Sequence, residues 1–275
     1  MKVVIFDWGG TIIDFGCQSP LISFEKAFKD AGYPVTRQHI IKYMGNSKRE
    51  HVRKLLKDLG KLTDSLEEKI YANFKEILMQ EIPKHLDLTP GYTTLMDYLH
   101  LKGYKIGSTT GYTREMTNRI VECGSHMYLP TISVTSDEVG HGRPSPDMVY
   151  ENLLLLGIDH PRYLIKIGDT IADIEEGVAA GAHLVIGVVD SSSLMGLTVD
   201  EYQNMSEKEL EERRIVIREK FMNVRKKVSN RTNCGLICKN RRNSSIDTTV
   251  QTEIICVNTL YNVPDIIEKF DCTRD

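Results

Sequence analysis

The sequence predicts an α/β fold: a doubly wound parallel sheet carrying an inserted helical cap domain. Three observations predict it. Val3-Val4-Ile5-Phe6 is an unbroken apolar, β-rich run, as a strand buried on both faces requires. From about residue 92 the chain alternates short apolar strands with helical stretches, the rhythm of βα units and parallel pairing. Between the two, residues 20–87 carry helical spacing and no strand signal, the pattern of an insertion after the first strand.

In chain order, the first strand ends at Asp7, and Gly9 and Gly10 let the backbone turn tightly at once. Helical faces follow in Leu21, Ile22, Phe24, Ala27 and Phe28, in Val52, Leu55, Leu56 and Leu59, and in Ile70, Phe74, Ile77 and Leu78. Pro83 and Pro90-Gly91 punctuate the end, so residues 17–91 are expected to form the cap, and 1–16 with 92–275 the core. Leu95–Leu101 reads as a helix and Tyr104–Thr109 as a strand. Thr113 is placed to cap a helix that runs to Cys123 and stops at Gly124. Ile132–Val134, Tyr163–Ile167 and Leu184–Val189 read as strands, with helices at Met148–Leu156 and Ile171–Ala180. A charged helix spans Glu207–Val224, and the polar, basic stretch 225–249 is expected to be a flexible insertion. A last strand at Thr252–Val257 and a helix at Pro264–Phe270 complete a Rossmann-like order. In such sheets ligands bind at the carboxyl ends of the strands, so Asp7, Thr110 and Asp169 should meet at one edge.

Bulk composition excludes several classes. The chain has 275 residues, 41% hydrophobic and 27% charged, as a globular protein does. A net charge of −3 argues against a general nucleic-acid binder. No apolar run reaches the roughly 18 residues of a membrane helix. Met1 leads into the first strand with no secretory segment, and the six cysteines are scattered, so a cytoplasmic protein with free thiols is expected. Cys234-x₃-Cys238 has the wrong spacing for a zinc knuckle and no neighbouring histidine.

The chemistry-bearing residues are Asp7, Thr110, Arg143 in Gly142-Arg143-Pro144, and Gly168-Asp169-Thr170-x-x-Asp173. Singly, each has a plain alternative: an aspartate after a strand often caps a helix, and an arginine beside proline is often solvated. In this order and spacing they supply what phosphoryl transfer needs. Asp7 is a carboxylate nucleophile, Arg143 a cation for the oxyanions, Thr110 a donor, and Asp7 with Asp169 a site for Mg²⁺.

These residues resemble the haloacid dehalogenase superfamily over roughly residues 1–190. Phosphatases of that superfamily usually carry a second aspartate where Gly9 stands, to protonate the leaving oxygen. Gly9 cannot, which disfavours ordinary phosphate-ester hydrolysis, although its carbonyl can still bind a metal. Within the superfamily the chain resembles the phosphonoacetaldehyde hydrolases. The likeness lies in Phe6-Asp7-Trp8-Gly9-Gly10-Thr11, Asp14-Phe15-Gly16-Cys17, Met44-Gly45 through Lys48, His51-Val52-Arg53, Gly107 through Met116, Gly142-Arg143-Pro144 and Gly196 to Met205. The resemblance implies a Mg²⁺-dependent hydrolase of a small phosphonate, with metal held by Asp7, Gly9 and Asp169 and Asp173 behind them. It implies a Schiff base on Lys48, His51 as its proton shuttle, and Cys17, Met44, Thr110, Gly111, Tyr112 and Arg143 around the substrate. It also implies a homodimer through the cap, for which Phe24 and Phe28 are candidate contacts. Family members usually have alanine at the Gly9 position. Another phosphatase or mutase of the superfamily, or a non-catalytic member of the fold, is the alternative.

Lys48 must be neutral to attack an aldehyde. Ser47-Lys48-Arg49-Glu50 fits a capping box, with Ser47 as N-cap and Lys48 first in its helix. The helix dipole, Arg49 and burial on cap closure would each depress its pKa. His51, three residues on, shares its helical face.

Overall fold

The computed structural model describes residues 1–124, 129–130, 132–159, 163–232 and 252–272, with side chains to residue 224 in the fourth stretch. Among the described residues, six parallel strands form one sheet: β1 (Lys2–Phe6), β2 (Lys105–Thr110), β3 (Ser133–Thr135), β4 (Tyr163–Gly168), β5 (Leu184–Val188) and β6 (Glu253–Val257). Their spatial order is β3-β2-β1-β4-β5-β6. The chain grows outward from β1 to β3, then returns to pair β4 with the other side of β1. A crevice opens at such a reversal, beyond the strands' carboxyl ends. Phe6 is in register with Ser108 on β2 and Ile167 on β4, so the residues after these strands converge there.

Strand alternation divides the core into two layers. Val4 and Phe6 join the apolar cluster that contains Leu95, Met96 and Leu99 of α5 (Tyr92–Leu101) and Ile267 and Phe270 of α11 (Val263–Cys272). Val3 and Ile5 face the opposite way, toward α7 (Asp147–Leu155), α8 (Ile171–Ala179) and α10 (Glu207–Thr232). Between β2 and β3 runs α6 (Arg114–Cys123), whose N-cap Thr113 accepts the Met116 N–H. The short α9 (Val199–Asn204) precedes α10.

Between β1 and α5 lie four helices: α1 (Gln18–Asp30), α2 (Arg37–Ile41), α3 (Lys48–Asp58) and α4 (Asp64–Glu81). Their apolar faces pack together and join the same cluster as Val4 and Phe6, and within it the Phe24 and Phe74 rings stack 4.1 Å apart. Phe24 and Phe28 are therefore buried inside the helices and cannot serve a surface between copies of the chain.

Two further local expectations need correction. Helix α10 continues to Thr232, so the first eight residues of the basic stretch at 225–249 are helical; the rest, with Cys234 and Cys238, lies outside the described residues. Lysine and arginine are good helix formers, and a charged stretch can extend an existing helix. Ser47 is the N-cap of α3, but its side chain makes no capping bond. Reciprocal capping boxes form instead at Thr170–Asp173 and Thr198–Glu201. Cys17, Cys123, Cys256 and Cys272 are free thiols. No helix among the described residues is long and apolar enough to cross a membrane.

Candidate active site

Asp7 follows β1 directly, and its N–H continues the parallel ladder to the Ile167 carbonyl at 2.9 Å. The carboxylate is thereby held at the strand tip, almost wholly buried. Arg143 reaches it from the loop before α7, with Nη1 2.6 Å from Asp7 Oδ1 and 3.0 Å from Asp173 Oδ1. The other guanidinium nitrogens are also engaged. Nε donates to Glu176 Oε2 at 3.0 Å, and Nη2 to the Thr109 carbonyl at 2.8 Å and Oγ1 at 2.7 Å. Lys166 Nζ completes the network, 2.9 Å from Asp173 Oδ1 and 3.3 Å from Glu176 Oε2.

Glu176, Lys166 and Thr109 were not among the residues singled out from sequence. A signal existed for two of them. Lys166 interrupts the apolar run Tyr163-Leu164-Ile165-Lys166-Ile167, and a lysine in a buried strand requires buried anions. Glu176 lies one helical turn after Asp173, on the same face of α8.

Asp7, Asp169 and Asp173 bring oxygens within 4.8 Å of one another. Asp173 is already committed: Oδ1 takes Lys166 and Arg143, and Oδ2 takes the Thr170 hydroxyl at 2.5 Å and N–H at 3.2 Å. Asp169 is less engaged. Its Oδ2 accepts the Ser193 N–H at 3.1 Å, and Thr11 Oγ1 approaches Oδ1 at 3.4 Å. Burial first, then the charges of Asp7 and Asp173, push its carboxyl far above the usual range. Four buried carboxylates (Asp7, Asp169, Asp173 and Glu176) face two buried cations, Arg143 and Lys166. Buried carboxylates thus outnumber the cations that pair with them, and hard oxygen donors at this spacing fit a divalent metal ion. The nearby backbone is shaped for this approach. Gly10 has φ +79°, and a Cβ there would lie 2.5 Å from Asp169 Oδ2.

Lys48 is the first residue of α3, and Lys48, His51, Val52, Leu55 and Leu56 form the buried face of that helix. Its ammonium nitrogen lies 4.7 Å from the centroid of the Tyr112 ring. Burial is the main cause that lowers its pKa; Cys17 and Asp7 oppose this, and Arg143 reinforces it. The contributing cation is thus Arg143 rather than Arg49, whose side chain is half exposed and paired with Glu68. His51 is fully buried, with its ring 4.1 Å from that of Phe24. Neither ring nitrogen closes a hydrogen bond of ordinary geometry, and the Ile40 backbone is the polar group that interacts with the ring. Burial, then Lys48, holds the imidazole well below its ordinary pKa, hence neutral.

A cavity of about 20 Å³ lies among Asp7, Gly9, Cys17, Met44, Lys48 and Arg143, walled also by Thr110, Gly111, Tyr112 and Thr170. His51 lies behind Lys48 and does not line it. The space admits about one water molecule. The loop before α3 closes it tightly. A Cβ on Gly111 would lie 2.4 Å from the Asn46 carbonyl oxygen, and one on Gly45 2.3 Å from Thr170 Oγ1. At Gly9, by contrast, a Cβ would meet Cys17 Sγ at 3.5 Å and the Tyr112 hydroxyl at 3.8 Å, ordinary contacts. Opposite outcomes are expected for the two glycines. Gly111→Ala should pry the loop from the sheet edge and lower kcat/KM on the order of 100-fold. Gly9→Ala should alter activity less than about threefold and raise stability by about 0.5 kcal/mol, because only the unfolded chain loses freedom. Steady-state rates and urea unfolding of both variants check this.

A strand-tip carboxylate, a buried arginine and three aspartates able to hold a metal ion, all at the switch point of a parallel sheet, are the arrangement of a hydrolase of the phosphoryl-transfer type. The family profile described as haloacid dehalogenase-like hydrolase matches residues 4–187. The chain is 38% identical over 234 residues to a phosphonoacetaldehyde hydrolase of Bacillus cytotoxicus, covering 81% of this chain and 88% of that one. It is 39% identical to a bifunctional phosphonoacetaldehyde hydrolase/aminoethylphosphonate transaminase of Clostridioides difficile, of whose length it spans 36%. The crystal structure of a phosphonoacetaldehyde hydrolase-like protein from Oleispira antarctica superposes with a TM-score of 0.84 at 25% identity, covering 99% of this chain and 93% of that one. The chain belongs to the haloacid dehalogenase-like hydrolases and, within them, to the phosphonoacetaldehyde hydrolase family.

Proposed function

We propose that the protein cleaves the carbon–phosphorus bond of phosphonoacetaldehyde, releasing acetaldehyde and phosphate. The observation that carries this reading is a buried lysine with a lowered pKa in the same small cavity as a strand-tip aspartate. An ordinary phosphatase has no use for that lysine. A carbon leaving group does, because a carbanion is a poor leaving group and an imine gives its electrons somewhere to go.

The neutral Lys48 amine condenses with the aldehyde and expels water. His51, neutral and on the same buried helix face as Lys48, is the group assigned to move protons in this step. Asp7 then attacks phosphorus. The C–P electron pair moves into the protonated imine to give an enamine, and Asp7 carries the phosphoryl group. Arg143 Nη1, already beside Asp7 Oδ1, faces the oxyanion charge. Water hydrolyses the aspartyl phosphate, and the enamine is protonated and hydrolysed to acetaldehyde. Asp7, Asp169 and the Gly9 carbonyl are assigned to Mg²⁺, with Asp173 supporting them; when bound, the ion would neutralise phosphoryl oxygens. Gly9 leaves no general acid in the ester-hydrolase position, in keeping with a leaving group handled by the imine. Thr110, Gly111, Tyr112, Met44 and Cys17 bound the substrate. The cavity is too small for substrate as it stands, so the loop at 44–47 must lift to admit it.

Release of both phosphate and acetaldehyde from phosphonoacetaldehyde tests the reading; phosphate release from simple phosphate esters alone would refute it. The pH dependence follows from Lys48. Only the unprotonated amine reacts, and its fraction grows as pH rises. With the folded pKa below the ordinary 10.5, imine formation should reach half its maximum rate below that pH. Reductive trapping with borohydride across pH checks this.

A further inference from the structure

Tyr112 bridges the core and the cap, and its orientation is set by a hydrogen-bond chain that none of the site's reacting groups joins. Asp14 occupies the left-handed region at φ 58°, unusual for a residue other than glycine. That backbone turns its buried carboxylate onto the first turn of α1. Oδ1 accepts the Gln18 N–H at 2.7 Å, and Oδ2 accepts the Ser19 N–H at 3.1 Å and the Ser19 hydroxyl at 2.5 Å. Ser19 is 2% exposed, and its hydroxyl oxygen is also 3.3 Å from that of Tyr112. A serine has one hydroxyl proton, and here it goes to Asp14. In the Ser19–Tyr112 contact the phenol is therefore the donor. This fixes the direction of the Tyr112 hydroxyl and tethers the far end of its ring. The backbone of Tyr112 is held independently, its N–H donating to Thr110 Oγ1 at 3.2 Å. On the ring's face sits Lys48 Nζ, 4.7 Å from the centroid.

We propose that Ser19 is a positioning residue for the imine step, holding the Tyr112 ring beneath the Lys48 nitrogen. This rests on the reading of Lys48 given above. The nitrogen must be uncharged to attack and cationic once the protonated imine has formed. Burial favours the first state and opposes the second. A ring face attracts a cation without adding a carboxylate that would hold the free amine protonated. The ring helps only while it lies under the nitrogen, and Ser19 ties it there.

The test is a double-mutant cycle in the full-length protein, with wild type, Ser19→Ala, Tyr112→Phe and the double variant. The readout is the rate at which acetaldehyde with cyanoborohydride alkylates Lys48, followed by peptide mass, which needs no C–P cleavage. Tyr112→Phe keeps the ring and removes the same hydrogen bond from its other end. Each single variant should slow trapping about fivefold, the equivalent of a neutral hydrogen bond worth about 1 kcal/mol. The double variant should be no slower than the slower single one, and Ser19→Thr should restore the rate to within about twofold. Multiplying effects, or wild-type trapping in Ser19→Ala, would mean that Ser19 serves only to anchor α1, and the proposal falls. If Ser19→Ala does not fold, wild-type trapping in Tyr112→Phe overturns it equally. If the wild type traps acetaldehyde on Lys48 but releases no phosphate from phosphonoacetaldehyde, the substrate reading fails while the cycle still decides the role of Ser19. Absence of trapping in the wild type overturns both.

Discussion

Lys48→Arg should abolish borohydride-trapped adducts and lower turnover of phosphonoacetaldehyde by on the order of 10⁴-fold. Arginine keeps the positive charge and much of the reach, yet its guanidinium does not lose a proton near neutral pH and forms no imine. The comparison therefore separates the chemistry of an amine from the electrostatics of a cation. Lys48→Met asks the complementary question. Lys48 is buried with its charged form disfavoured, chiefly by desolvation. A group whose folded pKa is lowered binds fewer protons folded than unfolded, so it costs stability below its unfolded pKa. Removing the amine should remove that cost. Lys48→Met should be inactive and melt a few degrees higher, since about 1 kcal/mol moves Tm by about 2–4 °C in a chain of roughly this size. Turnover by Lys48→Arg at the wild-type rate, or a lower melting temperature for Lys48→Met, would contradict the role and the burial argument respectively.

Arg143→Met should cause the largest loss of stability among the site variants, about 3–5 kcal/mol by urea unfolding, because it strands buried carboxylates without their cation. Asp7, Asp173 and Glu176 all lie within 3.0 Å of the guanidinium. Lys166 contacts Asp173 and Glu176 but cannot replace the contact to Asp7. Arg143→Lys should recover less than half of the loss. The guanidinium divides its bonds among Asp7, Asp173, Glu176 and Thr109 from three nitrogens, and a single ammonium cannot span them. An Arg143→Met protein as stable as wild type would show that the cluster is not held by this residue.

Most of the element order was legible because periodicity reports burial. Val3–Phe6 must be apolar on both faces when covered by two helical layers, and the Ser47-x-x-Glu50 pattern placed the first turn of α3 at Lys48. The capping box there was not realised, since a suitable residue pair permits reciprocal bonds without compelling them. Phe24 and Phe28 illustrate another limit. Aromatic residues on a helix announce burial, but not whether the cover is a neighbouring helix or another chain. Arg143 was recognised as a cation for the site, whereas its buttress of Glu176, Lys166 and Thr109 was not. A lysine in a buried strand and a glutamate one turn after Asp173 were legible, but their meeting with Thr109 around Arg143 depends on distances that sequence spacing does not encode.

By itself the sequence determined the strand that delivers Asp7, the absence of an acid at Gly9, the lysine at a helix start and the family to which these belong. Local chemistry and periodicity suffice for each. The tertiary structure alone decided that Lys48 shares a cavity with Asp7, that Arg143 is locked among three carboxylates, and that Ser19 reaches Tyr112. Each depends on how the helical insertion sits on the sheet, and burial, which sets the charge state of Lys48, exists only once those surfaces meet.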